Sequence, residues 1–399
     1  MIYKYKAITH DGQTIEGIYE ANSKDEVVSM IKGRDFLPVD IEIDVGAGSQ
    51  IDLFKPKIKK KDLAIFCRQF YTMINAGLGI VKCLDILVMQ TENRTLKKTL
   101  VEVYEDVQKG FTISGAMKKH PNIFPNILIN MVDAGEVSGN LDEIMERMAE
   151  HFEKENKLDN KIKSAMVYPM VLIVVSIAVV IFMLLNVLPT FVGMFEGSGS
   201  ELPWPTKFVL GISDWMQDYW FIILGMGVLI SLLFNYFKST EAGRRLVDNL
   251  KLKIPYIKIT NIKIITSRFT RTLSTLMASG IPLIASMEVV ARVVNNAIVH
   301  DRLIEGIENI RRGAPLARAV KDVGIFPPMV DSMINIGEES GSLDDILQKT
   351  ADFYDAEVEE SLQRLTSLME PLLILVMALV IGFIVIAMAM PMFDMVDTI

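Results

Sequence analysis

Residues 132–144 read VDAGEVSGNLDEI, and residues 334–346 read INIGEESGSLDDI. Seven of the thirteen positions are identical, at a constant offset of 202. A match this dense inside one chain marks an internal repeat, and the repeat extends in both directions. Phe66, Arg68, Gly77 and Gly110 align with Phe269, Arg271, Gly280 and Gly313 at an offset of 203. One residue is lost near His120-Pro121, after which Phe124-Pro125 aligns with Phe326-Pro327 at 202. Pro169 and Pro189 align with Pro371 and Pro391 at the same offset.

The prolines bound unusual segments. Half of the 399 residues are hydrophobic and mean hydropathy is +0.32. Residues 164–195, 219–237 and 371–393 contain no Asp, Glu, Lys or Arg. Each supplies the ~20 apolar residues that cross a bilayer as a helix. A buried helix of a soluble core ordinarily keeps a polar stripe, and these do not. Each repeat therefore ends in one expected span, with a proline at its start and another near its end. The middle span lies outside the repeat and returns the chain, so the repeats are parallel, unlike the inverted repeats of many transporters.

Charge orients the spans. The N-terminal MIYKYKAITHDGQ lacks a signal peptide's apolar core, so the first part of the chain is expected to stay where it is made. Lys154, Lys157, Lys161 and Lys163 precede span one, and Lys238, Arg244, Arg245, Lys251, Lys253 and Lys258 follow span two. Between the two, Lys207 stands against Glu196, Glu201, Asp214 and Asp218. Positive charge stays inside, which predicts a cytoplasmic N-terminus and an external C-terminus. Cys67 and Cys83 then face a reducing compartment and are expected as idle thiols. Net charge −8 and pI about 5.3 argue against nucleic acid as a partner.

The repeats read as helical. DLAIFCRQFYTMIN, residues 62–75, sets Leu63, Phe66, Phe70 and Met73 on one face. In the opening stretch Gly135 and Gly337 are expected as helix stops, and Gly139 and Gly341 as tight turns with positive φ. Asn140 and Ser342 suit the N-cap of the next helix, with Glu143 and Asp345 three residues on and Asp142 and Asp344 in its first turn. A capped helix corner explains these residues but not Glu136 and Glu338, which either bond nearby backbone amides or face a partner. The following helix is acidic in both copies. Residues 136–159 carry eight acids and three bases, and residues 338–360 nine acids and one base. Such a run is a solvated face or a docking surface for a basic partner.

Residues 1–43 form a separate α+β unit. IYKYKAI and TIEGIY alternate about His10-Asp11-Gly12, Ser23 opens a short helix, and FLPVDIEI reads as a last strand. Residues 44–62 read as a flexible basic linker.

Familiar reaction chemistry is missing. No GxxxxGK[ST] phosphate loop, HExxH, paired CxxC or GxSxG motif occurs, and His10, His120, His151 and His300 form no ligand pattern. No cofactor or metal is expected. The spans offer only Ser176, Asn186, Ser231 and Asn235 besides apolar groups, which weakens the alternative of a small-solute transporter or channel.

The chain resembles the bacterial secretion "F" family, the inner-membrane platform proteins of type IV pilus assembly and type II secretion. The resemblance rests on Y-x-Y-K-A…D-G-x-x-x-x-G from Tyr3 to Gly17, on GE-x-SG-x-L at 135–141 and 337–343, and on the doubled, proline-bounded layout. It implies a non-enzymatic platform in the cytoplasmic membrane, coupling a cytosolic hexameric ATPase to pilin or pseudopilin subunits in the bilayer, and self-associating. Glu136 and Glu338 carry over as members of the family's signature.

The expected architecture is mainly α: a polytopic membrane protein with three transmembrane helices. The N-terminal unit and linker lead to a first cytoplasmic helical bundle at 63–165. Span one occupies 166–189, an external loop 190–218 and span two 219–237. The second bundle fills 238–367, span three 368–393, and an external tail 394–399.

Overall fold

The structure, a computed structural model, describes residues 2–8, 14–20, 24–33, 36–43, 58–196, 203–255 and 257–396. The chain divides into two compact units, Met1–Asn156 and Lys157–Ile399.

At the N-terminus, β1 (Ile2–Ile8), β2 (Thr14–Glu20) and β3 (Leu37–Ile43) form an antiparallel sheet in the order β2-β1-β3, with α1 (Lys24–Lys32) between the last two strands in sequence. Ala7, Val27 and Ile31 are its buried core. Pro38 stands on the edge strand, where its missing N–H costs no ladder bond, and the register slips beside it. The His10–Gly12 turn, the Ser23 cap and linker residues 44–57 lie outside the described residues.

The first repeat folds as α2 (Lys60–Asn75), α3 (Ile80–Gln90), α4 (Arg94–Gln108), α5 (Ile113–Lys118), α6 (Asn126–Ser138) and α7 (Leu141–Phe182). The expected linker stops short of residue 62. The Lys59 N–H donates to Asp62 Oδ2 (2.9 Å), which starts α2 early, and Lys60 pairs with the buried Glu155. Phe66, Phe70, Leu84, Leu100 and Phe124 are almost wholly buried. Each such side chain contributes on the order of 1.5–3 kcal/mol of transfer free energy. Cys67 and Cys83 are free and buried, and burial pushes both thiols up from their ordinary values.

Beyond α7 the helix continues through a π-helical turn, Met183–Val187, into α8 (Leu188–Glu196). Next come α9 (Trp204–Ser239) and α10 (Glu241–Lys253). The second repeat then gives α11 (Ile257–Ala278), α12 (Leu283–Val293), α13 (Ala297–Arg311), α14 (Leu316–Val323), α15 (Pro328–Ser340) and α16 (Leu343–Val396).

Two boundaries differ from expectation. The bundle helix and the apolar segment are one helix in each repeat: α7 runs through residue 165 and α16 through 367. Within the expected loop 190–218, residues 190–196 and 204–218 are helical. The apolar face of early α9 packs Val209 against Leu184, Leu188, Val192, Ile384, Ala387 and Met388.

The apolar parts of α7–α8 and of α16 are each long enough to cross a membrane. The middle segment is bent: Trp204–Ile222 and Leu224–Ser239 meet at 59°, with Tyr219 off helical dihedrals (φ −119°, ψ 19°). Among the described residues there are thus two continuous candidate spans and one bent pair.

The bounding prolines sit inside helices. A proline there leaves an upstream carbonyl without its N–H partner. In a bilayer a neighbouring polar group must supply it. Two are supplied by hydroxyls. Thr206 donates to the Ala387 carbonyl, four residues before Pro391, whereas Thr366 lies 3.4 Å from the Ala165 carbonyl, four before Pro169, but donates to Leu362 of its own helix (2.9 Å). Pro189 follows the π-turn, where the Leu188 N–H reaches back five residues to the Met183 carbonyl. In that register the Leu184 carbonyl would need the missing N–H of Pro189, and Ser213 donates to it instead (2.7 Å).

Candidate functional site: the duplicated helix corner

Gly139 (φ 77°) and Gly341 (φ 68°) end α6 and α15 in the left-handed region. Asn140 and Ser342 precede the first residues of α7 and α16, and Asp142, Glu143, Asp344 and Asp345 stand in the first turns. Glu143 and Asp345 pair forward with Arg147 (2.6 Å) and Lys349 (2.7 Å) one turn on.

Gly135 and Gly337 are not helix stops. Both lie inside their helices, buried, at the contact with the next helix. A Cβ on Gly135 would stand 2.9 Å from Ile144 Cγ1, and one on Gly337 would stand 3.0 Å from Leu343 Cα. They are glycine because the following helix doubles back too closely for a side chain.

Glu136 and Glu338 cap a third helix. Ile113 and Ser114 N–H donate to the two carboxylate oxygens of Glu136 (2.5 and 2.9 Å), at the start of α5. Leu316 and Ala317 N–H donate to those of Glu338 (2.7 and 3.0 Å), at the start of α14. A helix N-terminus offers unpaired amides and partial positive charge, both of which suit a carboxylate. Asp133, one turn before Glu136, accepts from the Ser114 hydroxyl (2.7 Å), which with Lys118 holds its carboxyl below the usual range. The corner thus clamps three helices in each repeat.

Much of the acidic run is committed internally, and here the structure adds pairs that the sequence did not reveal. Arg68 forks onto Glu153 (2.9 Å twice). Arg271, its repeat mate, meets Asp355 and Asp352. Lys60 pairs with Glu155, and its mate Lys263 with Glu357 (2.7 Å). In the second unit Arg268 reaches Asp159 (2.8 Å), and Lys161 reaches Glu359. Acids and bases at matching offsets were the available signal. Asn93 and Asn296 are a further duplicated pair, each accepting two N–H bonds (3.1 and 3.2 Å) at the start of α4 and α13. Among the acids singled out from the sequence, Asp344 remains exposed and Asp142 half-buried.

Among the described residues no group of three or more His, Cys, Asp or Glu is placed to hold a metal ion. The corner's chemistry is that of helix clamping and of presented negative charge.

Residues 66–189 and 269–391 each match the family described as Type II secretion system (T2SS), protein F, and residues 1–42 match its N-terminal domain. The matches run from Phe66 and Phe269 to Pro189 and Pro391. Type IV pilus assembly protein PilC of Thermus thermophilus is 36% identical over 402 residues, covering 100% of this chain and 98% of its own. The protein of the same name from Myxococcus xanthus is 36% identical over 400 residues, covering 100% and 95%. Type II secretion system protein F of Vibrio cholerae is 34% identical over 398 residues, covering 98% of both.

Proposed function

The chain belongs to the type II secretion system protein F family, and from that premise we propose that it is a non-enzymatic platform in the cytoplasmic membrane for a pilus or secretion machine. In this reading it couples a cytosolic assembly ATPase to pilin or pseudopilin subunits in the bilayer, and it self-associates. The observation that carries the reading is the continuity of α7 and α16. Each begins at a clamped corner and continues as helix into an apolar segment, with Pro169 and Pro371 near the joins, so corner and apolar segment share one backbone. A continuous helix suits a part that transmits work done elsewhere.

The acids after the corners are the proposed ATPase contact, with exposed Glu143, Asp344 and Asp345 and half-buried Asp142 at its centre. Asp344→Lys and Asp142→Lys in the full chain, reconstituted in nanodiscs, are expected to weaken binding of the cognate ATPase about two- to fivefold each, as exposed charges do. The difference should vanish in high salt. Undiminished affinity in the double variant at low salt would remove this surface from the proposal.

Three crossings, with both bundles inside and the C-terminus outside, complete the reading. A cysteine introduced at Ser198 should react with an impermeant thiol reagent in intact cells. One introduced at Lys349, 71% exposed on α16, should react only after the membrane is opened. Labelling of the second in intact cells would overturn the orientation and the parallel arrangement of the repeats.

A further inference from the structure

We propose that α10 is an interfacial helix, which seats the second bundle on the anionic headgroup surface of the bilayer where the chain leaves α9. The proposal goes beyond the platform reading and rests on one part of it, that α9 crosses the membrane.

The element has no counterpart in the first repeat. It starts two residues after α9 ends and turns a fixed corner. Thr240 is extended (φ −74°, ψ 149°), and its hydroxyl caps the new helix by accepting from the Gly243 N–H (3.2 Å). Gly243 is buried so tightly that a Cβ there would fall 1.9 Å from the Phe237 carbonyl oxygen. The helix is therefore held off the axis of the span that precedes it.

Its inner side is fastened to the bundle. Buried Asp248 accepts from the Ala297 N–H at the start of α13 (3.1 Å) and pairs with Lys251 (2.9 Å). Its outer side is apolar. Leu246 and Leu250, one turn apart, are 51% and 46% exposed, and Ile254 and Ile257 continue the exposed surface at 43% each. Water is a poor solvent for such a row.

Two observations choose lipid as the occupant. The helix that carries the row starts two residues after the apolar helix α9 ends. Residues 238–258 also carry six bases against two acids, of which Asp248 is buried and paired. An apolar face rimmed by Lys and Arg at the end of a span is the pattern of a helix lying in an anionic leaflet.

The test uses the full chain in vesicles. A cysteine introduced at Leu250 carries an environment-sensitive fluorophore, and one at Ser231, within α9, serves as the reference for the span. The native thiols are buried and stay in place. Vesicles are phosphatidylcholine with or without a minority of phosphatidylglycerol. With the anionic lipid, the probe at 250 should be quenched by lipids spin-labelled near the headgroup, and its quenching by iodide should fall several-fold. The probe at 231 should respond to labels deep in the chains. Lys253→Gln with Lys258→Gln should return the probe at 250 to iodide while leaving 231 unchanged. Iodide access at 250 equal to that of a probe at Lys349 would overturn the proposal. So would protection that appears only at a high protein-to-lipid ratio, which would assign the row to a second copy. If the probe at 231 itself reports water, the span reading fails and the seat of α10 fails with it.

Discussion

Replacing Gly135 or Gly337 with valine is expected to lower the thermal midpoint of the detergent-solubilised chain more than any substitution at the left-handed glycines beside them. A Cβ at either position meets the next helix at 2.9–3.0 Å, on Ile144 in one repeat and on the Leu343 backbone in the other. Neither neighbour can swing aside, because Ile144 is 5% exposed in a packed core and Leu343 offers a main-chain atom. Overpacking of this kind costs about 1–3 kcal/mol, and a β-branched side chain belongs at the upper end. At Gly139 and Gly341 nothing lies within 4 Å of the added atom, so only the positive φ is penalised. That cost is roughly 1–2 kcal/mol for alanine. In a domain of this size each kcal/mol moves the midpoint by about 2–4 °C. Melting curves of Gly135→Val, Gly337→Val, Gly139→Ala and Gly341→Ala therefore separate steric from dihedral need. If valine at 135 and 337 proves as mild as alanine at 139 and 341, α7 and α16 double back more loosely than a 2.9–3.0 Å approach requires.

The contrast between these glycines marks where sequence stops being informative. Gly139 and Gly341 were legible as turns because a capped helix restarts immediately after them. In the sequence Gly135 and Gly337 read as stops, because a glycine's letter does not say whether it serves φ or space. Space is a property of the partner helix, which sequence alone does not position. The same holds for Glu136. Its amides belong to Ile113 and Ser114, 23 and 22 residues upstream, and no local pattern announces them. The corresponding separations for Glu338 are 22 and 21, shorter by the residue lost near His120. The two long apolar helices were legible because runs without charge have few other uses. Each is continuous with a bundle helix, since hydropathy changes along α7 and α16 while the helix goes on. The acidic run was legible as charge but not as pairing. Arg68 and Arg271 were matched as repeat mates, yet their partners Glu153 and Asp355 lie on another helix.

Glu136→Ala and Glu338→Ala should each cost on the order of 2–4 kcal/mol, because two charge-assisted hydrogen bonds vanish together and two amides at a helix start lose their acceptor. Both carboxylates are half-buried, so water recovers part of the loss and the lower end is expected in detergent. The glutamine variants decide what the carboxylate is for. Glutamine keeps one acceptor oxygen but turns an NH₂ toward the second amide, donor against donor, and it removes the charge that the helix start favours. A cap therefore predicts a melting point between wild type and alanine for Glu136→Gln and Glu338→Gln. Binding of the ATPase should follow the melt, falling only when the corner loosens. A carboxylate held for a partner predicts the opposite pairing: an unchanged melt and a salt-sensitive loss of affinity. The geometry favours the cap, since both oxygens of both residues are already occupied by backbone N–H groups. A docking role would have to break these bonds before it could form its own. The measurement is a melting curve and an ATPase titration on the same four variants at low and high salt. Normal melting in the alanine variants would remove the clamp that this structure assigns to the signature glutamates.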